Sequence, residues 1–361
     1  MEACVPILKE HFGATKDGVA VERYHLTNRD GMSVCVLTYG GIVQALHAID
    51  SRGKIADIVL GFDTLEPYLA EHPYFGALIG RYANRIAQGN FVMEGRVIQL
   101  ATNNGRHHLH GGIHGFDKKV WRARILEVNN ACCLLLNLIS IDGDEGYPGT
   151  LAVEIKYTWN DRNELIIDYS ATTDAPTILN LTNHSYFNLA GNEQQVDILK
   201  HRIQLCAEHY LPIDSMLIPT GEIAGVNGTC MDFRTMMGIG QHMNLKHAQI
   251  RYASDGYDHA WLLDEKVNTL VLAAIVEEPL SGRWMKVFTT QPAIQFYTGN
   301  FMDTSLLGKN NIRYSKYAGF CLETQHYPDA PNNPNFPSTV LHPGAIFQET
   351  TVYQFGTSNN L

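Results

Sequence analysis

Positive charge is scarce in this chain: 27 Lys and Arg stand against 37 Asp and Glu, a formal net charge of −10 over 361 residues. A negative field repels phosphate backbones and anionic lipid, so nucleic acid and membrane surfaces are not expected partners, although a local basic pocket is compatible with it. Long apolar runs are missing too. The richest stretches, Leu134-Leu135-Leu136 and Leu270 to Val276, are far too short to span a bilayer. The opening Met1-Glu2-Ala3-Cys4-Val5-Pro6 has no basic stretch followed by an apolar one, so no signal peptide is expected. The seven cysteines (Cys4, Cys35, Cys132, Cys133, Cys206, Cys230 and Cys321) are odd in number and include no C-x-x-C pair. That disfavours a disulfide framework or a cysteine zinc site and favours buried free thiols in a reducing, cytoplasmic setting.

Helical periodicity is also rare; Thr64 to Glu71 is the one short candidate, and Pro67 confines it. There is no repeat, low-complexity tract or Ser/Gly-rich linker. What is present is period two. Leu151, Val153, Ile155, Tyr157 and Trp159 alternate with Ala152, Glu154, Lys156 and Thr158. Leu165, Ile167 and Tyr169 continue the alternation after a turn at Asp161-Arg162-Asn163, which predicts a hairpin. Further strands are expected at Met32 to Tyr39, Trp121 to Val128, Leu134 to Ser140, Arg202 to Cys206, Thr269 to Ile275, Arg283 to Thr290, Ala293 to Tyr297 and Ala345 to Phe355. With 45% hydrophobic residues the chain can bury a large core. Many strands separated by turn residues imply an all-β fold, one large β-sandwich-like domain over residues 1–361 with few short helices. Pro328 to Pro343 is the longest irregular stretch, and a loop of that length is expected at a functional site.

Four segments crowd polar residues where strands are otherwise apolar. In Gly80-Arg81-Tyr82-Ala83-Asn84-Arg85-Ile86, two arginines and an asparagine suit sugar hydroxyls or a carboxylate ligand. They equally suit pairing with carboxylates at the core edge. His107-His108-Leu109-His110-Gly111-Gly112-Ile113-His114-Gly115 holds four histidines within eight positions. His108 and His110 would share a strand face, as in a metal site, yet glycines follow where a carboxylate ligand would be needed. The expectation is no metal, a turn that lets backbone approach a ligand closely, one or more histidines lining a pocket, and the rest in solvent. In Thr182-Asn183-His184-Ser185-Tyr186, amide and hydroxyl neighbours stand ready to orient the imidazole. In Cys321-Leu322-Glu323-Thr324-Gln325-His326, Glu323 ends an apolar run, and partial burial would raise its pKa towards that of a base working near neutrality.

Together these segments resemble the aldose 1-epimerases (galactose mutarotases). The similarity also includes Gly115-Phe116-Asp117-Lys118, Gly256-Tyr257-Asp258-His259, Gln295-Phe296-Tyr297-Thr298-Gly299-Asn300 and Glu323 to Asn332, in family order, from about Thr38 to Phe355. The resemblance implies a β-supersandwich, no cofactor, and exchange between α and β anomers of free aldoses such as galactose and glucose. Carried over by motif, Glu323 would be the general base and His184 the general acid. His110 would assist at the ring oxygen, and Asn84, Arg85, Asp258 and Gln295 would bind hydroxyls. Small-molecule aldoses are the implied partners, with the chain a monomer or weak dimer. Cys230-Met231 before Asp232-Phe233-Arg234, and Gln291, depart from the pattern and leave sugar preference open. Other readings are a glycoside hydrolase using Glu323 with Asp258, an enzyme of phosphorylated hexoses, and a sugar-binding module without turnover.

Overall fold

The computed structural model describes residues 7–128, 131–263 and 269–358; Cys4 and the segment Met1–Pro6 lie outside the described residues. Period-two alternation builds its largest sheet. Leu151–Asn160 and Glu164–Thr173 form the expected hairpin, with Ile155 opposite Tyr169 and Tyr157 opposite Ile167. Leu151, Val153, Ile155, Tyr157 and Trp159 are buried while Ala152 and Glu154 are exposed, as a half-buried strand requires. The strand Phe347–Thr357 inserts between Glu164–Thr173 and Arg283–Thr289, joining two runs of chain into a nine-stranded antiparallel sheet.

A five-stranded sheet precedes it in sequence, formed by Leu8–Ala14, Ala20–Thr27, Ser33–Leu37, Val43–Ile49 and Ile55–Asp57. A six-stranded sheet has the order Tyr186–Phe187, Phe320–Gln325, Ala293–Tyr297, Asp258–Leu262, His209–Tyr210 and Ala224–Gly225. One apolar core draws on all three sheets: Val34 and Leu46 from the first, Ile155 and Tyr353 from the large one, and Trp261, Phe296 and Leu322 from the six-stranded one. None of these sheets closes on itself. The architecture is the expected all-β supersandwich. Ala248–Tyr252 is the one α-helix among the described residues. The expected helix at 64–71 shrinks to a 3-10 turn, Glu66–Leu69, with Pro67 in its first turn. No helix among the described residues is long and apolar enough to cross a membrane. None of the six described cysteines is joined in a disulfide; Cys35, Cys132, Cys133 and Cys321 are buried, and Cys206 and Cys230 partly so.

The six-stranded sheet positions the site because it is covered on both faces. In Phe320–Gln325, Phe320 and Leu322 enter the main core, so Cys321 and Glu323 project the opposite way. In Ala293–Tyr297, Ile294 and Phe296 do the same, which turns Gln295 and Tyr297 to the face of Glu323; Gln295 pairs directly with Glu323 in the ladder. Asp258–Leu262 is the next strand over, with Ala260 opposite Gln295.

Candidate active site

A cleft of about 880 Å³ opens over that second face, within the usual range for small-molecule sites of about 300–1,000 Å³. Asn84, Arg85, His110, His184, Asp258 and Glu323 line it. Gln295, expected among the sugar-binding residues, is not in the lining. It sits behind Asp258, donating from Nε2 to Oδ1 at 2.6 Å.

Glu323 and His184 face each other at the cleft floor, with Oε1 3.6 Å from Nε2 and both side chains almost wholly buried. Glu323 Oε2 is buried and has no hydrogen-bond partner. An ionised carboxylate kept from water without full compensation costs several kcal/mol, on the order of the buried-ion penalty. Burial therefore pushes the Glu323 carboxyl well above the usual carboxylate range, with Asp258 pushing the same way and Arg85 opposing. Burial likewise lowers His184 to about 3. Both shifts have the same leading cause, the removal of each group from water, which disfavours its charged form. The main chain of His184 is tied down on both sides, its N–H to Ala77 O and its carbonyl to Gly76 N–H. Of the expected polar neighbours, Asn183 and Ser185 bond away from the ring, Asn183 to Gly76 O and Ser185 to Asn183. Tyr74, Tyr186 and His110 wall the ring instead, and the Cys321 thiol lies 3.5 Å from Nδ1.

His110 is held by a reciprocal clasp. Its N–H donates to Asn84 O, and the Asn84 N–H donates to its Nδ1 at 3.2 Å. Both residues, and Tyr74 as well, adopt left-handed φ of 52°, 63° and 60°. Such conformations in non-glycine residues cost on the order of 1–3 kcal/mol each and persist where the surroundings enforce them. Since Nδ1 accepts a hydrogen bond from the Asn84 N–H, the neutral ring carries its hydrogen on Nε2 and is a fixed donor. Burial, then the neighbouring His184 and Arg85, keep His110 neutral.

Ligand atoms of His110, His184 and Glu323 lie within 4.8 Å of one another. The donor set fits a metal poorly, because the His110 lone pair that would bind it is already taken by Asn84. His108 and His110 do not share a strand face, since the strand ends at Leu109. Both His108 nitrogens are engaged, Nδ1 by Ala101 O and Nε2 by the Tyr147 hydroxyl. His107 and His108 are buried, not solvated. The glycines serve chain-to-chain contact, not ligand approach: a Cβ on Gly111 would stand 1.7 Å from Gly80 O.

The two arginines of the first segment separate completely. Arg81 is buried in a cage of acceptors: Ser140 Oγ and the carbonyls of Ser140, Ile141, Pro148 and Gly149. Arg85 reaches the cleft, with Nη1 3.7 Å from Asp258 Oδ2 and Nε donating to Asn104 Oδ1. Burial raises the Asp258 carboxyl, and Arg85 and Gln295 partly offset that. The loop Pro328 to Pro343 contributes nothing to the cleft lining. It braces the Arg85 segment from outside, where the Asp329 N–H donates to Arg85 O and Asp329 Oδ1 accepts from the Ala87 N–H. Gln291 bonds to Leu181 O and Met231 sits in the main core, both outside the cleft lining. Tyr74, Lys118 and Tyr297 line the cleft without having been expected there.

The comparisons with known proteins agree. A family model described as aldose 1-epimerase matches residues 22–354. Galactose mutarotase from Homo sapiens is 45% identical over 341 residues, 94% of this chain and 96% of that one. Galactose mutarotase from Bos taurus is 43% identical over 355 residues, covering 98% and 100%. Aldose 1-epimerase from Escherichia coli (strain K12) is 36% identical over 351 residues, covering 97% and 99%. Among solved structures, galactose 1-epimerase from Lactobacillus acidophilus NCFM superposes with a TM-score of 0.85 at 29% identity, covering 98% of this chain and 99% of that one. Motif order, sheet architecture and full-length similarity lead to one assignment: this chain belongs to the aldose 1-epimerase family.

Proposed function

We propose that the chain is a cofactor-independent isomerase that interconverts the α and β anomers of free aldoses such as galactose and glucose, as one catalytic domain spanning residues 1–361. The carrying observation is the buried carboxyl–imidazole pair, 3.6 Å apart on the cleft floor. Ring opening takes a proton from the anomeric hydroxyl and gives one to the ring oxygen. Those two oxygens are borne on one carbon, so an acid and a base side by side serve both. Once the pair's proton has crossed from the Glu323 carboxyl to His184 Nε2, Glu323 accepts the hydroxyl proton and His184 delivers one to the ring oxygen, where the Nε2–H of His110 adds a hydrogen bond. The C1–ring oxygen bond breaks as the C1 carbonyl forms. Rotation about C1–C2 presents the other carbonyl face, and the reverse transfers reclose the ring. The pair ends each cycle with the proton count it began with.

Asn84, Arg85 and Asp258 bind the remaining hydroxyls, and Gln295 acts through Asp258. A glycoside hydrolase reading needs Asp258 as a free acid or base, yet both of its oxygens already face Gln295 and Arg85. A phosphorylated hexose needs a free cation. Arg85 and Lys118, the Lys and Arg residues among the described lining, face Asp258 and Asp117. We place the enzyme in the cytoplasm, as a monomer or weak dimer, in keeping with the lack of disulfides among its described cysteines. Optical rotation of freshly dissolved α-galactose and α-glucose, with and without protein, tests the reading. Equal decay curves for both sugars would overturn it.

The pair also dictates the pH profile. At low pH a second proton enters His184, whose pKa is lowered to about 3, and the base is lost. At high pH the shared proton leaves, and the raised Glu323 pKa delays that loss. The expected kcat/KM is flat through the ordinary imidazole range near pH ~6.5. It declines only in stronger acid and on the alkaline side. An inflection near 6.5 would show that His184 titrates as a free imidazole. In Asp258→Asn the negative charge beside Glu323 is gone, so the alkaline decline moves to lower pH while KM rises. Initial rates corrected for spontaneous mutarotation measure both.

A further inference from the structure

A catalytic imidazole needs something behind it to fix its rotation and its tautomer, and here that place is held by sulfur. Cys321 is fully buried, two residues before Glu323 on the same strand and therefore on the same face. Its Sγ lies 3.5 Å from His184 Nδ1, while Nε2 of the same ring looks at Glu323 Oε1 from 3.6 Å. The other ring neighbours are Tyr74, Tyr186 and the edge of His110, which confine the ring plane by contact. Ring contacts alone do not tell Nδ1 from Nε2. The sulfur stands beside Nδ1 and the Glu323 carboxyl beside Nε2, and the ring's remaining polar contact is to the His184 main chain.

We propose that Cys321 is the positioning residue of His184: its sulfur accepts the Nδ1–H, which leaves the Nε2 lone pair facing the Glu323 carboxyl, and it does so without adding charge. In Ser-His-Asp sites a carboxylate holds this position and stabilises the imidazolium. A reaction that passes its proton back and forth has the opposite need. A carboxylate behind His184 would hold the proton on the ring, whereas a neutral thiol leaves it free to cross between Glu323 and the imidazole. The geometry also explains why one strand carries both groups: Cys321 and Glu323 bracket the ring from its two nitrogens at a separation that the strand repeat itself sets.

The proposal rests on the mutarotase reading, and wild-type turnover of α-galactose checks that reading first. Nitrogen-15 chemical shifts of the His184 ring in sugar-free protein then test the positioning independently of activity. The wild type should show the Nδ1–H tautomer, and Cys321→Ala a mixture of the two. In turnover, Cys321→Ala should lose about tenfold in kcat, since small misplacements of reacting groups are costly, with KM little changed. Cys321→Ser, which restores a neutral acceptor, should recover most of the loss. Cys321→Asp should move the acid decline of the kcat/KM profile to higher pH by stabilising the imidazolium. The proposal is overturned if Cys321→Ala keeps the wild-type tautomer and kcat. It is equally overturned if Ser and Ala variants lose activity alike, in step with thermal stability, for then the thiol only fills space. Should Cys321→Asp not fold, the Ser and Ala comparison decides alone.

Discussion

Glu323→Gln is expected to lower kcat by about 10²–10⁴-fold, the usual worth of one acid–base group, with sugar binding and thermal stability near wild type. Binding should survive because the resting carboxyl is held protonated by burial, and a neutral amide of the same shape replaces a neutral acid. The fold should survive for the same reason: no buried charge partner is stranded. What disappears is the ability to accept the anomeric proton. The residual rate then depends on protonated His184 alone and should fall steadily as pH rises. Polarimetry gives kcat and calorimetric titration gives the affinity. A variant with near-normal turnover would remove Glu323 from its assigned role.

His184→Gln should be as severe in kcat, again about 10²–10⁴-fold, and should tilt the pH profile the other way. Without the imidazole, water must protonate the ring oxygen, and the remaining requirement is an ionised Glu323. Because burial raises that pKa, the residual rate should climb with pH across a range where the wild type is flat or falling. Opposite slopes in the two variants are the signature of one proton shared between two groups. Parallel slopes would mean that the two residues do not work as a pair. Structurally His184→Gln is mild, since the position is anchored through its main chain to Gly76 and Ala77.

Much of the β architecture can be read from residue order, and the parts that cannot have two distinct causes. The hairpin at 151–169 is visible because one face is core and the other water, which writes period two into the residue types. Strands Asp258–Leu262 and Phe320–Gln325 have every residue buried, so the alternation between core and cleft faces hides among uniformly buried positions. Yet these two strands carry Asp258 and Glu323. In the N-terminal sheet the strand expected at Met32 to Tyr39 is present as Ser33–Leu37, but the first strand is hidden for a different reason: Leu8–Ala14 is largely exposed and contains Lys9, Glu10, His11 and Gly13, which do not read as a strand.

Residue types and their motif order were sufficient for the family resemblance, for the choice of Glu323 and His184, which meet in one cleft, and for most of the expected side chains that line it. Packing in three dimensions made the distinctions that composition leaves degenerate. It sent Arg81 into a cage of carbonyls and Arg85 into the cleft, although the two stand four positions apart with similar neighbours. It buried His108 against Tyr147 and delivered His110 to the site, and it moved Gln295 behind Asp258. It also set Cys321 behind His184 from a point 137 residues away along the chain. Side-chain chemistry is a local property that a string of residues states outright. Which side chains lose their water together, and which atoms are left without a partner, depends on strands distant in sequence meeting in one sheet, and that information is non-local.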